Sequence, residues 1–118
     1  MNLPASEALN LWRAVATATL RRAHPDLTAR QFALLLHVYL APPPHTVRGL
    51  AAQLNLSKPA VSRALDRLGR LDFARRKRDQ ADKRNVLVQR TVKGAVFLRE
   101  FGDLVEDVAG ALDAPAAQ

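Results

Sequence analysis

A mainly helical fold with one small β-hairpin is predicted for this chain of 118 residues, on three observations. First, Leu50–Leu71 reads LAAQLNLSKPAVSRALDRLGRL, two helical apolar patterns separated at Asn55-Leu56. That is the spacing of a helix-turn-helix. Second, the helical period fails from Phe73, and two short β-type runs follow. Third, residues 58–90 hold 11 Lys/Arg against 4 Asp/Glu, while the rest of the chain has 7 of each. The whole net charge of +7 therefore lies in the second helix of the pair and in the hairpin. Together these features describe a single winged helix-turn-helix domain over 1–118, with one further helix on either side.

The elements follow in order. Ser6 is placed to cap a first helix, Glu7 to Ala23, with Leu9, Trp12, Val15, Ala16 and Leu20 as its apolar stripe. Pro25 ends it, since proline lacks an N–H and disfavours helix in the residue before it. Thr28-Ala29-Arg30-Gln31 is a capping box, with Leu27 as a hydrophobic staple. The second helix runs to Leu40 and buries Phe32, Leu35, Leu36 and Tyr39; Pro42-Pro43-Pro44 stops it. Thr46 caps a third helix, Val47 to Leu54. Asn55 suits the tight turn because Asn tolerates positive φ. Ser57 caps a fourth helix to Leu71, with Pro59 in its first turn, where no N–H is missed. Phe73–Lys77 and Asn85–Arg90 read as strands joined by the polar segment Arg78 to Arg84. Thr91 caps a last helix, Val92 to Leu112, striped by Val96, Phe97, Phe101, Leu104, Val105, Val108 and Leu112. The tail from Asp113 to Gln118 is expected to fray.

A helix-turn-helix is locked by apolar residues across its turn: Val47, Leu50, Ala51, Leu54, Leu56, Val61 and Leu65 here. Burying them turns Ser57, Lys58, Ala60, Ser62, Arg63, Arg67 and Arg70 outward. The N-terminal end of such a helix reaches base edges in the major groove. Arg63 is the residue for a bidentate contact to guanine. Pro59 and Ala60 suit a thymine methyl, and Ser57, Ser62 and the first-turn N–H groups suit phosphate. In the hairpin, Arg75, Arg76, Lys77 and Arg78 alternate between the two faces of a strand. Arg78, Lys83 and Arg84 suit a minor groove, where negative potential attracts arginine. A free carboxylate at Asp82 would repel phosphate, so its expected role is to pair with Arg84 and hold the guanidinium in one direction.

Composition narrows the alternatives. The chain has no Cys, which excludes disulfides, thiolate metal sites and Cys-based redox sensing. His24, His37 and His45 are not spaced as a metal site, and no metal or cofactor is expected. Asp66 and Arg70 are set as an i,i+4 pair. The first twenty residues lack the pattern of a signal peptide, and no apolar run is long enough to span a bilayer. A cytoplasmic protein is expected, not a membrane one. No nucleophile–base pair, Gly-rich phosphate loop or paired catalytic carboxylate is present, so an enzyme is not expected.

At these residues the chain resembles the MarR family of winged-helix transcriptional regulators. Leu27–Phe32 looks like the family's second-helix start, and Leu50 to Leu68 like its recognition unit. Asp79–Arg84 with Val86, Val88 and Thr91–Gly94 looks like its wing and the start of the next helix. The Asp-x-Arg of the wing is the most specific of the three. The resemblance spans residues 6 to 112. It implies a homodimer on a pseudo-palindromic operator in double-stranded DNA. The helix from Ser57 would read the major groove, Arg84 would be the wing-tip arginine and Asp82 its partner. Residues 28–90 would form the DNA-binding core. Residues 6–23 and 92–112 would be dimerisation helices, meeting through Leu9, Trp12, Phe101, Leu104, Val105 and Val108.

Two departures stand out. The chain reads as a short member without the family's last C-terminal helix, and Asp72 stands where the family commonly has Gly. Family members often bind small aromatic acids, but no convergent polar set near Trp12, Phe32 or Tyr39 supports an effector here. The expected function is a sequence-specific, homodimeric regulator, most simply a repressor. The alternatives are a winged-helix module that binds another regulator or the polymerase, and a nucleoid-type binder indifferent to sequence.

Overall fold

The computed structural model describes residues 3–113. In chain order the elements are α1 (Ala5–Arg21), α2 (Ala29–Leu40), β1 (His45–Thr46), α3 (Val47–Leu54), α4 (Lys58–Arg70), β2 (Ala74–Arg78), β3 (Val86–Arg90) and α5 (Val92–Asp113). They form two compact units: Asp26–Leu98, and Met1–Pro25 with Arg99–Gln118. The expected frayed tail lies outside the described residues except for Asp113, the last residue of α5.

In the unit Asp26–Leu98, helix boundaries follow local chemistry. The Thr28 hydroxyl accepts the Gln31 N–H at 3.2 Å, and the Gln31 side chain accepts the Thr28 N–H at 3.0 Å, closing the capping box of α2. Thr46 caps α3 through the Gly49 N–H at 2.9 Å, and Ser57 caps α4 through the Ala60 N–H at 3.2 Å. α3 and α4 end alike. Asn55 and Asp72 adopt left-handed φ of 53° and 58°. The next N–H then folds back, from Leu56 to the Ala51 carbonyl and from Phe73 to the Leu68 carbonyl. These are Schellman closures, in which the left-handed residue is usually Gly.

The core of this unit gathers Leu34, Leu35 and Val38 of α2, Leu50 and Ala51 of α3, and Val61, Ala64, Leu65 and Leu68 of α4. Phe73, Ala74, Val88 and Phe97 complete it, with the rings of Phe73 and Phe97 stacked at 4.4 Å. The buried arc of α2 is turned from the expected one: Leu34 and Val38 are fully buried, while Phe32, Leu36 and Tyr39 are half-buried. The reason is that α2 has neighbours on two sides. Leu34, Leu35 and Val38 belong to the apolar core, whereas Tyr39 carries its hydroxyl to the backbone around Phe73 and Thr91.

The sheet has three strands in the order β1-β3-β2, all antiparallel. β1 is an addition to the two expected strands. It pairs His45 with Val88 and Thr46 with Leu87, and it follows Pro42–Pro44, which have no N–H to extend a ladder. His45 is buried, its Nε2 3.1 Å from the Ala41 carbonyl. The His37 ring meets the His45 ring edge-on at 6.1 Å.

The start of α5 is a crowded polar junction. The Tyr39 hydroxyl lies 2.8 Å from the Phe73 carbonyl and 3.1 Å from the Thr91 carbonyl, and accepts the Thr91 N–H at 2.8 Å. Thr91 Oγ1 donates to the Asp72 carbonyl at 2.6 Å and accepts the Gly94 N–H at 2.9 Å, capping α5. A Cβ at Gly94 would collide with the Tyr39 hydroxyl and the Phe73 carbonyl, so only glycine fits there.

In the other unit, α1 starts at Ala5 after Pro4 and has no side-chain cap, which corrects the expected role of Ser6; it ends at Arg21, before Ala23. The Pro4 carbonyl accepts the Ala8 N–H, so the proline itself opens the first turn. α1 half-buries Leu11, Val15 and Ala18, and leaves Leu9, Trp12 and Leu20 exposed at 71%, 75% and 82%. Leu104 is buried, and Phe101, Val105 and Val108 are half-buried. Arg22 donates to the Glu100 carbonyl at 2.9 Å beside a groove of about 450 Å³ with Asp103 and Asp107 on its wall. Val96 and Leu112 are exposed rather than part of a buried stripe. Among the described residues, no helix is long and apolar enough to cross a membrane.

Candidate nucleic-acid interface

The candidate surface is built from α4 and the β2–β3 wing. Burial of Val61, Ala64, Leu65 and Leu68 fixes the orientation of α4. Lys58, Pro59, Arg63 and Arg70 are exposed, and Ser62 is half-buried. Ser57 is exposed and spends its oxygen on the helix cap. Ala60 does not face outward as expected. It is 9% exposed and belongs to the buried side, one residue before Val61, because the first turn of α4 packs closely against the domain. Arg67 is half-buried and donates to the Asp26 carbonyl at 3.3 Å, which commits it to the fold.

The wing register explains how its cations divide. Ala74, Arg76 and Arg78 share one face of β2, and Arg75 and Lys77 the other. Ala74 is buried, so its face looks toward the protein. Arg76 follows it there and pairs with Asp66 of α4. That replaces the expected Asp66–Arg70 pair. Arg75 pairs with Asp72 at 3.2 Å. Arg90 donates to the Val38 carbonyl at 2.9 Å and the Ala41 carbonyl at 3.2 Å, a cation at the C-terminal end of α2 where the helix dipole favours one. Lys58, Arg63, Arg70, Lys77, Arg78 and Lys83 make no ion pair or side-chain hydrogen bond among the described residues.

The wing loop is ordered by its own aspartates. Asp79 accepts the Ala81 N–H at 2.9 Å, and Asp82 accepts the Arg84 N–H at 3.1 Å. Both are Asx turns. The Asp79 N–H reaches the Asn85 carbonyl and closes the loop at its base. Asp82 also takes the Arg84 guanidinium in a fork, Nε to Oδ1 at 3.0 Å and Nη2 to Oδ2 at 3.1 Å. Arg84 is 83% exposed and its partner 37%. The fork holds the Asp82 carboxyl below its ordinary pKa, first through the Arg84 side chain and then through the Arg84 backbone N–H. Loss of hydration opposes this slightly, and the charge of Arg48 adds to it. The same fork raises the Arg84 pKa.

Arg48 is a cation of this region not singled out from the sequence. It stands alone in α3, without the basic neighbours that mark the wing. Of the expected dimer contacts, Leu9 and Trp12 are exposed, Phe101, Val105 and Val108 are half-buried, and Leu104 is 7% exposed. Leu104 is thus largely buried within one chain. It lies on the side of α5 packed inside its own unit.

Comparisons with known proteins fit this geometry. The family model for the MarR family matches residues 26–85, the helix-turn-helix with the wing loop. No curated protein matches the chain. Among solved structures, a transcriptional regulator from Thermotoga maritima aligns with a TM-score of 0.73 at 20% identity, over 89% of this chain and 71% of that one. A MepR mutant from a multidrug resistant S. aureus clinical isolate aligns with a TM-score of 0.74 at 20% identity, over 99% and 86%. A MarR mutant from E. coli, solved in complex with operator DNA, aligns with a TM-score of 0.67 at 30% identity, over 89% and 73%. The matched core, the shared winged helix and the forked Asp82–Arg84 wing agree, and the chain belongs to the MarR family of winged-helix transcriptional regulators.

Proposed function

We propose that this chain binds double-stranded DNA as a homodimer in the cytoplasm and represses transcription by occupying a promoter. α4 enters the major groove by its N-terminal end. Arg63 contacts a guanine there, with Lys58 and Ser62 on the flanking phosphates. The wing lays Arg84 into the adjacent minor groove, while Lys77, Arg78 and Lys83 add charge along the backbone.

The observation that carries this reading is the fork between Asp82 and Arg84. A solvated charge needs no fixed direction, whereas a groove-reading guanidinium does. The operator complex of the E. coli MarR mutant supports duplex DNA as the partner. The homodimer is supported by Leu9, Trp12 and Leu20, large apolar side chains left exposed on α1.

One observation favours sequence-independent binding instead. With Ala60 turned inward and Arg67 tied to Asp26, α4 presents only two long polar side chains near its N-terminal end, Lys58 and Arg63. Selection of bound sequences from random duplexes separates the two readings. The regulator yields a palindromic motif with half-sites about one helical turn apart, roughly 10 base pairs. A sequence-independent binder yields no enriched motif.

A further inference from the structure

Arg48 is exposed, is the second residue of α3, and makes no ion pair or side-chain hydrogen bond among the described residues. Its position follows from the sheet. β1 pairs Thr46 with Leu87, and α3 begins at the next residue. Leu87 is one residue from Val86, which pairs with Arg78 where the wing loop opens. The first turn of α3 therefore stands beside the base of that loop. The charge of Arg48 is felt at the Asp82 carboxylate. Arg84 forks the two Asp82 oxygens, and Arg48 itself makes no ion pair with that carboxylate.

A structural role does not explain this residue. A cation in the first turn of a helix opposes the helix dipole, and Arg48 caps nothing. As the first helix of the helix-turn-helix, α3 is the one that crosses the DNA backbone in such units. We infer that Arg48 is a phosphate-binding residue of the DNA interface, gripping the strand between the major groove addressed by α4 and the minor groove addressed by Arg84. This rests on the DNA-binding reading above. It makes the interface three-part: reader, wing and a backbone clamp from α3.

The test is the salt dependence of duplex binding, measured by fluorescence anisotropy for the full chain and for Arg48→Ala, Arg48→Lys and Arg99→Ala. Arg99 is an exposed α5 residue outside the proposed interface, so its variant removes the same net charge elsewhere. Arg48→Ala is expected to lower the slope of log K against log salt by about 0.9 per bound chain. Its affinity falls equally for preferred and scrambled duplexes, Arg48→Lys retains the slope, and all variants keep the wild-type melting curve. An unchanged slope in Arg48→Ala overturns the clamp while leaving DNA binding intact. An equal drop in Arg99→Ala also overturns it, since net charge alone would then be responsible. Absence of duplex binding by the wild-type chain overturns both the clamp and the reading beneath it.

Discussion

Asp82 sets two physical effects against each other. It is an acidic group in a basic wing, so removing its charge strengthens the wing's attraction for phosphate. It also holds Arg84 through three hydrogen bonds, so removing it frees the guanidinium. If orientation dominates, Asp82→Asn weakens duplex binding several-fold despite the added positive charge, and an affinity titration at fixed salt reads the sign. The pH dependence has a definite direction. Asp82 has a lowered pKa when folded, so its pairing is intact above the ordinary carboxylate value of 3.8 and is lost only as pH falls through the lower, folded value. A carboxyl NMR titration should place the Asp82 midpoint below 3.8, with no change in the pair across neutral pH. This partnership was legible in the sequence because its members are two residues apart. The pairing of Arg76 with Asp66 and the bond from Arg67 to Asp26 were not, because those partners meet only after α4 has docked.

The caps and closures of individual elements were also written locally. Thr28, Thr46, Ser57 and Thr91 all cap as their positions suggest, and Asn55 takes the left-handed turn. β1 was hidden because a two-residue strand has no period of its own, and only its pairing with β3 defines it. The junction of α2, β2 and α5 was equally hidden, since Tyr39, Phe73, Thr91 and Gly94 are far apart in sequence. It supplies two stability predictions. Tyr39→Phe strands the Thr91 N–H and should cost about 1–3 kcal/mol in denaturant unfolding. Gly94→Ala forces a methyl group against backbone and should cost roughly 1–3 kcal/mol or more. A change within about 0.5 kcal/mol in both would contradict the tightly packed junction.

For the whole molecule, the excess charge of residues 58–90 proves to be divided. Arg67, Arg75, Arg76 and Arg90 are bound within the fold, while Lys58, Arg63, Arg70, Lys77, Arg78 and Lys83 make no ion pair among the described residues and Arg84 is aimed by Asp82. Composition revealed the basic region but not this division, which the strand register and helix docking decide. The proposed homodimer likewise belongs to the scale of the whole. Trp12→Glu should shift the chain toward monomer in sedimentation velocity and weaken duplex binding through lost bivalency, while leaving the melting of the Asp26–Leu98 unit unchanged. In the proposed mode of binding, α4 reads bases and the wing supplies an aimed contact. Parallel selections from random duplexes with the wild-type chain, Arg63→Ala and Arg84→Ala test it most directly. The wild type is expected to yield a palindrome. Arg63→Ala should lose preference at one guanine per half-site, worth about 1–3 kcal/mol, and Arg84→Ala should lose preference only in the flanks. The same motif from all three proteins, or none from any, would contradict it.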